Sequence, residues 1–345
     1  MLAALLPRVM LIRGTLISTG HSFKGLFVGN PKIHLDFCNR FLRDGYAVHR
    51  LWRLPLPLLR LLISVGIRPF DLAVFSLPEA IGPHWIREVA EFRGRSTVVQ
   101  TISLEGGWEG LKRRAYRDKR GLLNGFRNKT SLKYRVSHDA ADLERFYDEM
   151  FVPHAKLRYG RHAVIDSRAE IERFFNRGML LMIEQAGRPI AAALCREVPD
   201  RLEYFRGGIS GDAARLGARD ASSALYFFQF DYAISRGLKE LDCLESRSFL
   251  TDGVYRYKAS WGALAEPRRF GGDRLYYVLG KNAGVLAELF QHCPTLVESA
   301  GSLHAIAGQT LQGPEISVQQ ESWYTRGISA IHVFYENGHR KRLDI

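Results

Sequence analysis

The chain is short of cysteine, short of acid relative to base, and free of long apolar runs, and each shortage excludes a class of protein. Only four cysteines occur in 345 residues. Cys38, Cys195, Cys243 and Cys293 lie far apart, form no CxxC pair and have no histidine cluster at ligand spacing, so zinc binding is not expected. Cys195 and Cys243 each fall inside an apolar, strand-like run, where a free thiol packs as a small hydrophobe. Disulfides are not implied, which fits a reducing compartment. No run approaches the roughly 20 apolar residues that a spanning helix needs. The apolar stretch within Met1–Ile12 is followed rather than preceded by its arginines, Arg8 and Arg13, the wrong order for a secretory signal. A cytoplasmic protein is expected. Apolar residues at 46% and charged residues at 25% exclude extended disorder, and the length points to two domains.

The deficit of acid is local. From Lys112 to Arg135 there are ten basic residues (Lys112, Arg113, Arg114, Arg117, Lys119, Arg120, Arg127, Lys129, Lys133, Arg135) against Asp118 alone, +9 of the total +13. Such a block is either a solvated face or a contact for a polyanion: a phosphate-bearing co-substrate, an anionic membrane face, or RNA. A second unusual segment, Trp52–Phe70, is rich in leucine with spaced arginines. It reads as an apolar core helix entered through Pro57, or as a helix lying in a membrane interface with Arg53, Arg60 and Arg68 at the head groups.

Strand and helix patterns alternate over the first hundred residues. Val9–Thr19, Tyr46–Leu51, Asp71–Leu77 and Ser96–Ser103 read as strands, Pro31–Asp44 and Pro83–Phe92 as helices, and the stretch before Pro31 as a loop. Beyond the basic block the pattern is more regular. A strand Ser131–Ser137 leads to a helix Ala140–Leu157 capped by Asp139, and to a helix Arg168–Asn176 with a capping box at Asp166 or Ser167 and Glu170. Three strands follow, Met179–Gln185, Pro189–Glu197 and Arg201–Ile209, joined by hairpin-length turns. A Gly/Ala-rich loop Ser210–Asp220, a helix Ala221–Arg236 stopped by Gly237, a strand Lys239–Leu244, a helix Asp252–Ala259 and a hairpin Arg268–Leu279 complete the set. The tail Ser329–Ile345 reads as a hairpin around Asn337–Gly338.

This order resembles the GNAT acyltransferase fold, and more narrowly the branch shared by the Fem peptidyltransferases and the polysaccharide-associated CelD-like transferases. The resemblance is carried by YRDKRGLLNGFRNK, VPHAKLRYGR, GRPIAAAL, YAISRGLKELDCLES and YRYKASWGA, in that order over about 150 positions. It implies a GNAT-type mixed, mostly antiparallel sheet flanked by helices. The strand–helix alternation of the first hundred residues, which the resemblance does not cover, adds a smaller preceding α/β domain, so an α/β (α+β) chain is expected. Domains are expected at 1–110, a reduced GNAT-like half; 111–130, a basic helical linker; 131–280, the acyltransferase domain; and 281–345, a helix and hairpin extension.

Acyl transfer from a thioester needs a seat for the donor, a base for the nucleophile and stabilisation of an oxyanion. In the resembling fold the donor lies between two splayed strands, with its phosphates at the start of the next helix. That implies Arg215, Gly217, Ala218, Arg219, Ser222 and Ser223 as donor-binding residues, the glycine and alanine admitting backbone and the serines adding donors at the positive helix end. The spacing Arg215-x-Gly217-x-Arg219 is one residue short of the family pattern, as in branches whose donor rides on tRNA or a carrier protein. Lys258 is implied as the cation near the thioester, with Tyr255 and Tyr257 as hydroxyl donors and Trp261 as core. Candidate bases are His154, Glu245 and Asp242; His154 and Glu245 equally fit as partners of Arg158 and Arg247. Arg158, Tyr204 and Arg206 fall where an acceptor is expected.

The leading function is an N-acyltransferase of lipid or cell-envelope biosynthesis. It has no tightly bound cofactor or metal, uses acyl-CoA or acyl carrier protein as co-substrate and an amphiphilic amine as acceptor, and works at the inner membrane face. The alternatives are a tRNA-dependent aminoacyl or peptidyl transferase, whose basic block tracks RNA, and a non-catalytic GNAT-like partner-binding subunit.

Overall fold

The computed structural model describes residues 6–55, 57–58, 60–61, 70–79, 84–129, 131–160, 163–267, 272–310 and 326–345. From the N-terminus come β1 (Arg8–Thr15), β2 (Ser22–Val28), α1 (Pro31–Cys38), β3 (Ala47–Arg53), β4 (Leu72–Pro78), α2 (His84–Val89), β5 (Phe92–Arg95) and β6 (Thr97–Ser103). Next are α3 (Gly107–Arg114), α4 (Arg117–Lys129), β7 (Leu132–Ser137), α5 (Ala140–Arg145), a π-helical turn (Phe146–Phe151), α6 (Val152–Tyr159) and α7 (Arg168–Phe175). Then follow β8 (Met179–Gln185), β9 (Arg188–Val198), β10 (Arg201–Ile209), α8 (Gly211–Ser235) and β11 (Glu240–Arg247). The chain ends with α9 (Gly253–Ser260), β12 (Leu264–Pro267), β13 (Asp273–Leu279), α10 (Ala283–His292), β14 (Thr295–Ser299), β15 (Ser302–Gln309), β16 (Ile328–Tyr335) and β17 (Arg340–Asp344).

Two compact units result, and neither is a continuous segment. The first takes Met1–Val99, Glu245–Tyr257 and Ala265–Ile345; the second takes Gln100–Leu244 and Lys258–Leu264. The first carries a ten-stranded sheet in the order β17-β16-β15-β14-β5-β13-β4-β2-β1-β3, antiparallel except at β2/β4 and β15/β16. Its core is aromatic, with Phe23, Phe27, Phe37, Phe41, Tyr277 and Phe290 in one buried cluster. The residues at 281–345 are thus not an extension of the acyltransferase region: α10 and β14–β17 complete this first unit, and the expected smaller preceding domain has more strands than its neighbour.

β2 falls where a loop is expected. Its Gly25 breaks the strand pattern in sequence, and a Cβ there would meet the Phe23 and Phe27 rings at 2.4–2.9 Å, so the glycine makes room for them. β13 also departs from expectation. It is not half of a local hairpin but pairs with β4 and β5, because Leu275–Leu279 is buried throughout and needs cover on both sides. Residues 268–271, the other part of the expected hairpin, lie outside the described residues. The β16–β17 hairpin turns at Asn337–Gly338 as expected, Gly338 having φ +86°.

The second unit carries the sheet β12-β6-β11-β10-β9-β8-β7. β7 to β10 form the antiparallel meander read from the sequence, and β10 meets β11 in parallel. The α7 capping box is present, Ser167 and Glu170 each holding the other's backbone. The expected single helix Ala140–Leu157 is split by the π-helical turn just before Pro153, which has no N–H to continue an α-helical ladder. The basic segment is not a linker. Leu111 and Leu123 are buried, and Phe126 and Trp108 stack on Phe227 of α8 at ring-centroid distances of 5.2 and 5.1 Å. All four cysteines are buried and free, and burial pushes the Cys243 thiol up to about 12, the behaviour of a packed hydrophobe.

Candidate active site

The site is built from two irregular strands. β10 and β11 share only three parallel pairs, Arg201–Glu203 with Glu240–Asp242. At that level β10 bulges between Tyr204 and Arg206, while on β11 Leu244 takes φ 57°. Beyond Asp242 the parallel pairing of the two strands ends and they part.

On β10 the parting is lined by Gly207 and Gly208, whose missing side chains admit neighbours on opposite faces. A Cβ on Gly208 would lie 2.6 Å from the Phe151 nitrogen and 2.7 Å from the Met150 carbonyl carbon, so the π-helical turn rests directly on the strand. A Cβ on Gly207 would meet the Tyr204 hydroxyl and, at 3.2 Å, Leu225 of α8. Gly208→Val is therefore expected to destabilise the protein by about 1–3 kcal/mol or more, since the obstruction is backbone. Thermal unfolding checks this, and an unchanged midpoint contradicts the close approach.

The π-helical turn leads into α6 and places His154 against the backbone of Gly207. Burial, then repulsion by Arg158, holds the His154 pKa below the usual histidine value, with the Gly207 hydrogen bond pulling the other way. The imidazole is thus kept in its neutral, proton-accepting form. Tyr204 is half-buried and meets Tyr226 edge-on, with ring centroids 5.7 Å apart. Arg158 is exposed at the end of α6. Arg206 is gripped by Asp166, with Nη2 donating to Oδ1 at 2.9 Å, and lies over Phe205. Its charge therefore fixes the segment before α7, which Tyr147 also holds through its hydroxyl to the Asp166 carbonyl.

The donor end differs from the expected loop. α8 begins at Gly211, directly after Ser210, because Ala213, Ala214, Leu216, Ala218 and Ala221 all favour helix. The unpaired N–H groups of its first turn therefore belong to residues 211–214 rather than to Ala221–Ser223. Arg215, Gly217, Ala218 and Arg219 fall within the helix, and the side chains of residues 212–220 lie outside the described parts. Ser222 is half-buried; Ser223 is buried, which turns it away from solvated phosphate.

On β11 the parting is held by Asp242 and Lys258. Asp242 Oδ1 accepts the Leu244 N–H at 2.8 Å, and Lys258 Nζ donates to the Leu244 carbonyl at 3.4 Å. Lys258 is only 6% exposed, a buried cation facing a strand end. Burial raises the Asp242 pKa against the effect of the Leu244 N–H. Trp261 is core, stacked on Tyr226 at 5.6 Å, and Lys119 lies over its ring.

Glu245 and Tyr257 fall in the first unit, where Glu245 accepts from Thr97 Oγ1 at 2.8 Å and Tyr257 is half-buried. Tyr255 is fully buried in that unit's core, which removes it as an oxyanion donor. Arg247 pairs with Asp36 at 2.8 Å. Gly207, Gly208 and Leu244 were not legible as site residues, although a glycine pair inside a strand signals close backbone approach.

The strand order of the second unit is the order expected from the GNAT resemblance. The unit has an antiparallel meander and a parallel strand reached through a long helix, and the pairing of that parallel strand with β10 ends after three residues. No protein-family model matches the chain, and no curated protein matches its sequence. Among solved structures, FemX is similar in chain path at 10% identity and TM-score 0.42, over 81% of this chain and 86% of that one. L-PGS from Bacillus licheniformis follows at 12% identity and TM-score 0.37, over 76% and 83%. A GCN5-related N-acetyltransferase from Anabaena variabilis matches at 10% identity and TM-score 0.29, over 94% and 73%. Each is a distant likeness of fold.

Proposed function

We propose that the protein is an N-acyltransferase that moves an acyl group from a thioester to the amine of an amphiphilic, membrane-associated acceptor. One observation carries the reading: a parted parallel strand pair with a half-buried histidine against one strand and a buried lysine at the other. In this scheme His154 takes a proton from the acceptor ammonium. The freed amine bonds to the thioester carbonyl, the C–S bond breaks, and the second proton lost by the nitrogen goes to the departing sulfur, which leaves as a thiol. Lys258 offsets negative charge as it develops. The donor is a co-substrate, acyl-CoA or acyl carrier protein. The first turn of α8, with its N–H groups at the helix start, is the seat proposed for the phosphate end of the donor's pantetheine arm.

A membrane-associated acceptor is supported by two surfaces, each within its own unit. Of the Trp52–Phe70 segment, Leu58 and Leu61 are 48% and 59% exposed, which argues against a core helix there; residues 62–69 lie outside the described residues. Part of the basic block is structural. Arg114 donates to the Ser103 and Glu105 carbonyls, and Arg135 is held by Asp142 and Glu184. Arg113, Arg117, Arg127 and Lys133 remain exposed, each able to contribute about 1 kcal/mol near an anionic surface. Among the described residues no helix is long and apolar enough to cross a membrane.

The protein is expected to pellet with vesicles containing phosphatidylglycerol and not with phosphatidylcholine alone. High salt should release part of it and detergent all of it, because an inserted apolar face does not respond to screening. Lipid extracts from cells with and without the gene should differ in an N-acylated species by mass spectrometry. Recovery in the soluble fraction at every ionic strength, together with salt-sensitive binding of aminoacyl-tRNA, would instead favour the tRNA-dependent reading.

A further inference from the structure

Four non-glycine residues have positive φ among the described residues: Ala186, Asp200, Leu244 and Ala300. Ala186, Asp200 and Ala300 sit in tight connections between successive antiparallel strands, β8–β9, β9–β10 and β14–β15, where such a conformation is ordinary. Leu244 is different, because it lies inside a strand. A side chain disfavours this conformation and glycine does not, so something must hold the backbone there. Both peptide groups of Leu244 are held. Its N–H goes to Asp242 Oδ1, two residues back on the same strand, and its carbonyl to the ammonium of Lys258. The parallel ladder to β10 ends at Asp242 itself.

We propose that Asp242 is a positioning residue. Its carboxylate fixes Leu244 in the left-handed conformation, which turns β11 away from β10 and presents the Leu244 carbonyl to Lys258. The ammonium is thereby anchored by backbone at the mouth of the parted strands. Three charged neighbours tune the carboxylate: the like charge of Glu203 opposes its ionisation, while Arg201, whose Nη1 lies 3.7 Å from Oδ2, and Lys258 both favour it. The effect on catalysis rests on the acyl-transfer reading; the backbone clamp does not.

The test uses the full chain with Asp242→Asn, Asp242→Ala and the double variant Asp242→Ala/Leu244→Gly. Backbone 13C shifts of residue 244 report the conformation, and steady-state kinetics with an acyl-CoA donor report kcat and KM separately. Asparagine still accepts the N–H, so Asp242→Asn should keep the left-handed shifts and lose about threefold or less in kcat. Asp242→Ala should move residue 244 to the extended range and lower kcat by about 30-fold with KM within about twofold. Glycine takes the left-handed conformation without help, so the double variant should recover to within about fivefold of wild type. A merely structural aspartate would give no such rescue. Left-handed shifts retained in Asp242→Ala, or a double variant as slow as Asp242→Ala, overturns the proposal. Should the wild-type protein transfer no acyl group, the acyl-transfer reading fails, and the shifts alone decide the clamp.

Discussion

Replacing Lys258 by methionine is expected to lower turnover by about 100-fold or more, the size of effect seen when one oxyanion contact is lost. Lys258 is 6% exposed and its ammonium faces the Leu244 carbonyl, so in this reading it acts where water is scarce and a charge counts for more. Methionine keeps the length and apolar bulk of the side chain, and thermal unfolding should shift by no more than a few degrees. The comparison is of kcat and KM in steady state. A loss confined to kcat places Lys258 at the developing charge, whereas turnover within about threefold of wild type removes it from the site.

His154→Gln should cost about 100-fold to 10,000-fold, because the amide keeps a polar group near Gly207 but accepts no proton at neutral pH. The pH profile tests the same residue. Its folded pKa lies below the ordinary value of about 6.5, so the neutral base persists as pH falls through that value, and activity is lost only at lower pH. Arg158→Gln removes the nearby cation and should move the acid limb upward. Stability follows the same sign. The unfolded chain takes up the proton first as pH falls below about 6.5, so the contribution of neutral His154 is present above that pH and lost on acidification toward the folded value. An acid limb unmoved in both variants would assign the base elsewhere, with Asp242, whose pKa burial raises, as the next candidate.

Local signals carried much of this fold. The β7–β10 meander, the Asp139 cap and the Ser167–Glu170 capping box all act over a few residues, and alternation and cap chemistry are written there. What escaped depended on distant partners. β13 looks like half of a hairpin until β4 and β5 are seen to flank it, and β2 looks like a loop because Gly25 makes space for two phenyl rings. The discontinuous first unit could not be read from a linear pattern, since its strands are brought together by non-local pairing. In the proposed site, His154 and Lys258 are the residue types that the sequence offers for acyl transfer. Leu244 was not legible, because nothing in a leucine announces a left-handed backbone; only the flanking Asp242 and the end of the ladder explain it.

The central claim is acyl transfer at the parted β10/β11 strands, and release of free thiol tests it most directly. Purified protein is mixed with a long-chain acyl-CoA and phosphatidylethanolamine-containing vesicles, and thiol is followed with a chromogenic disulfide. The account predicts steady thiol release that requires both donor and vesicles, falls by about 100-fold in Lys258→Met, and accompanies an N-acylated lipid of matching mass. No thiol release from acyl-CoA or acyl carrier protein with any amine-bearing membrane extract, or release undiminished in both Lys258→Met and His154→Gln, would contradict it.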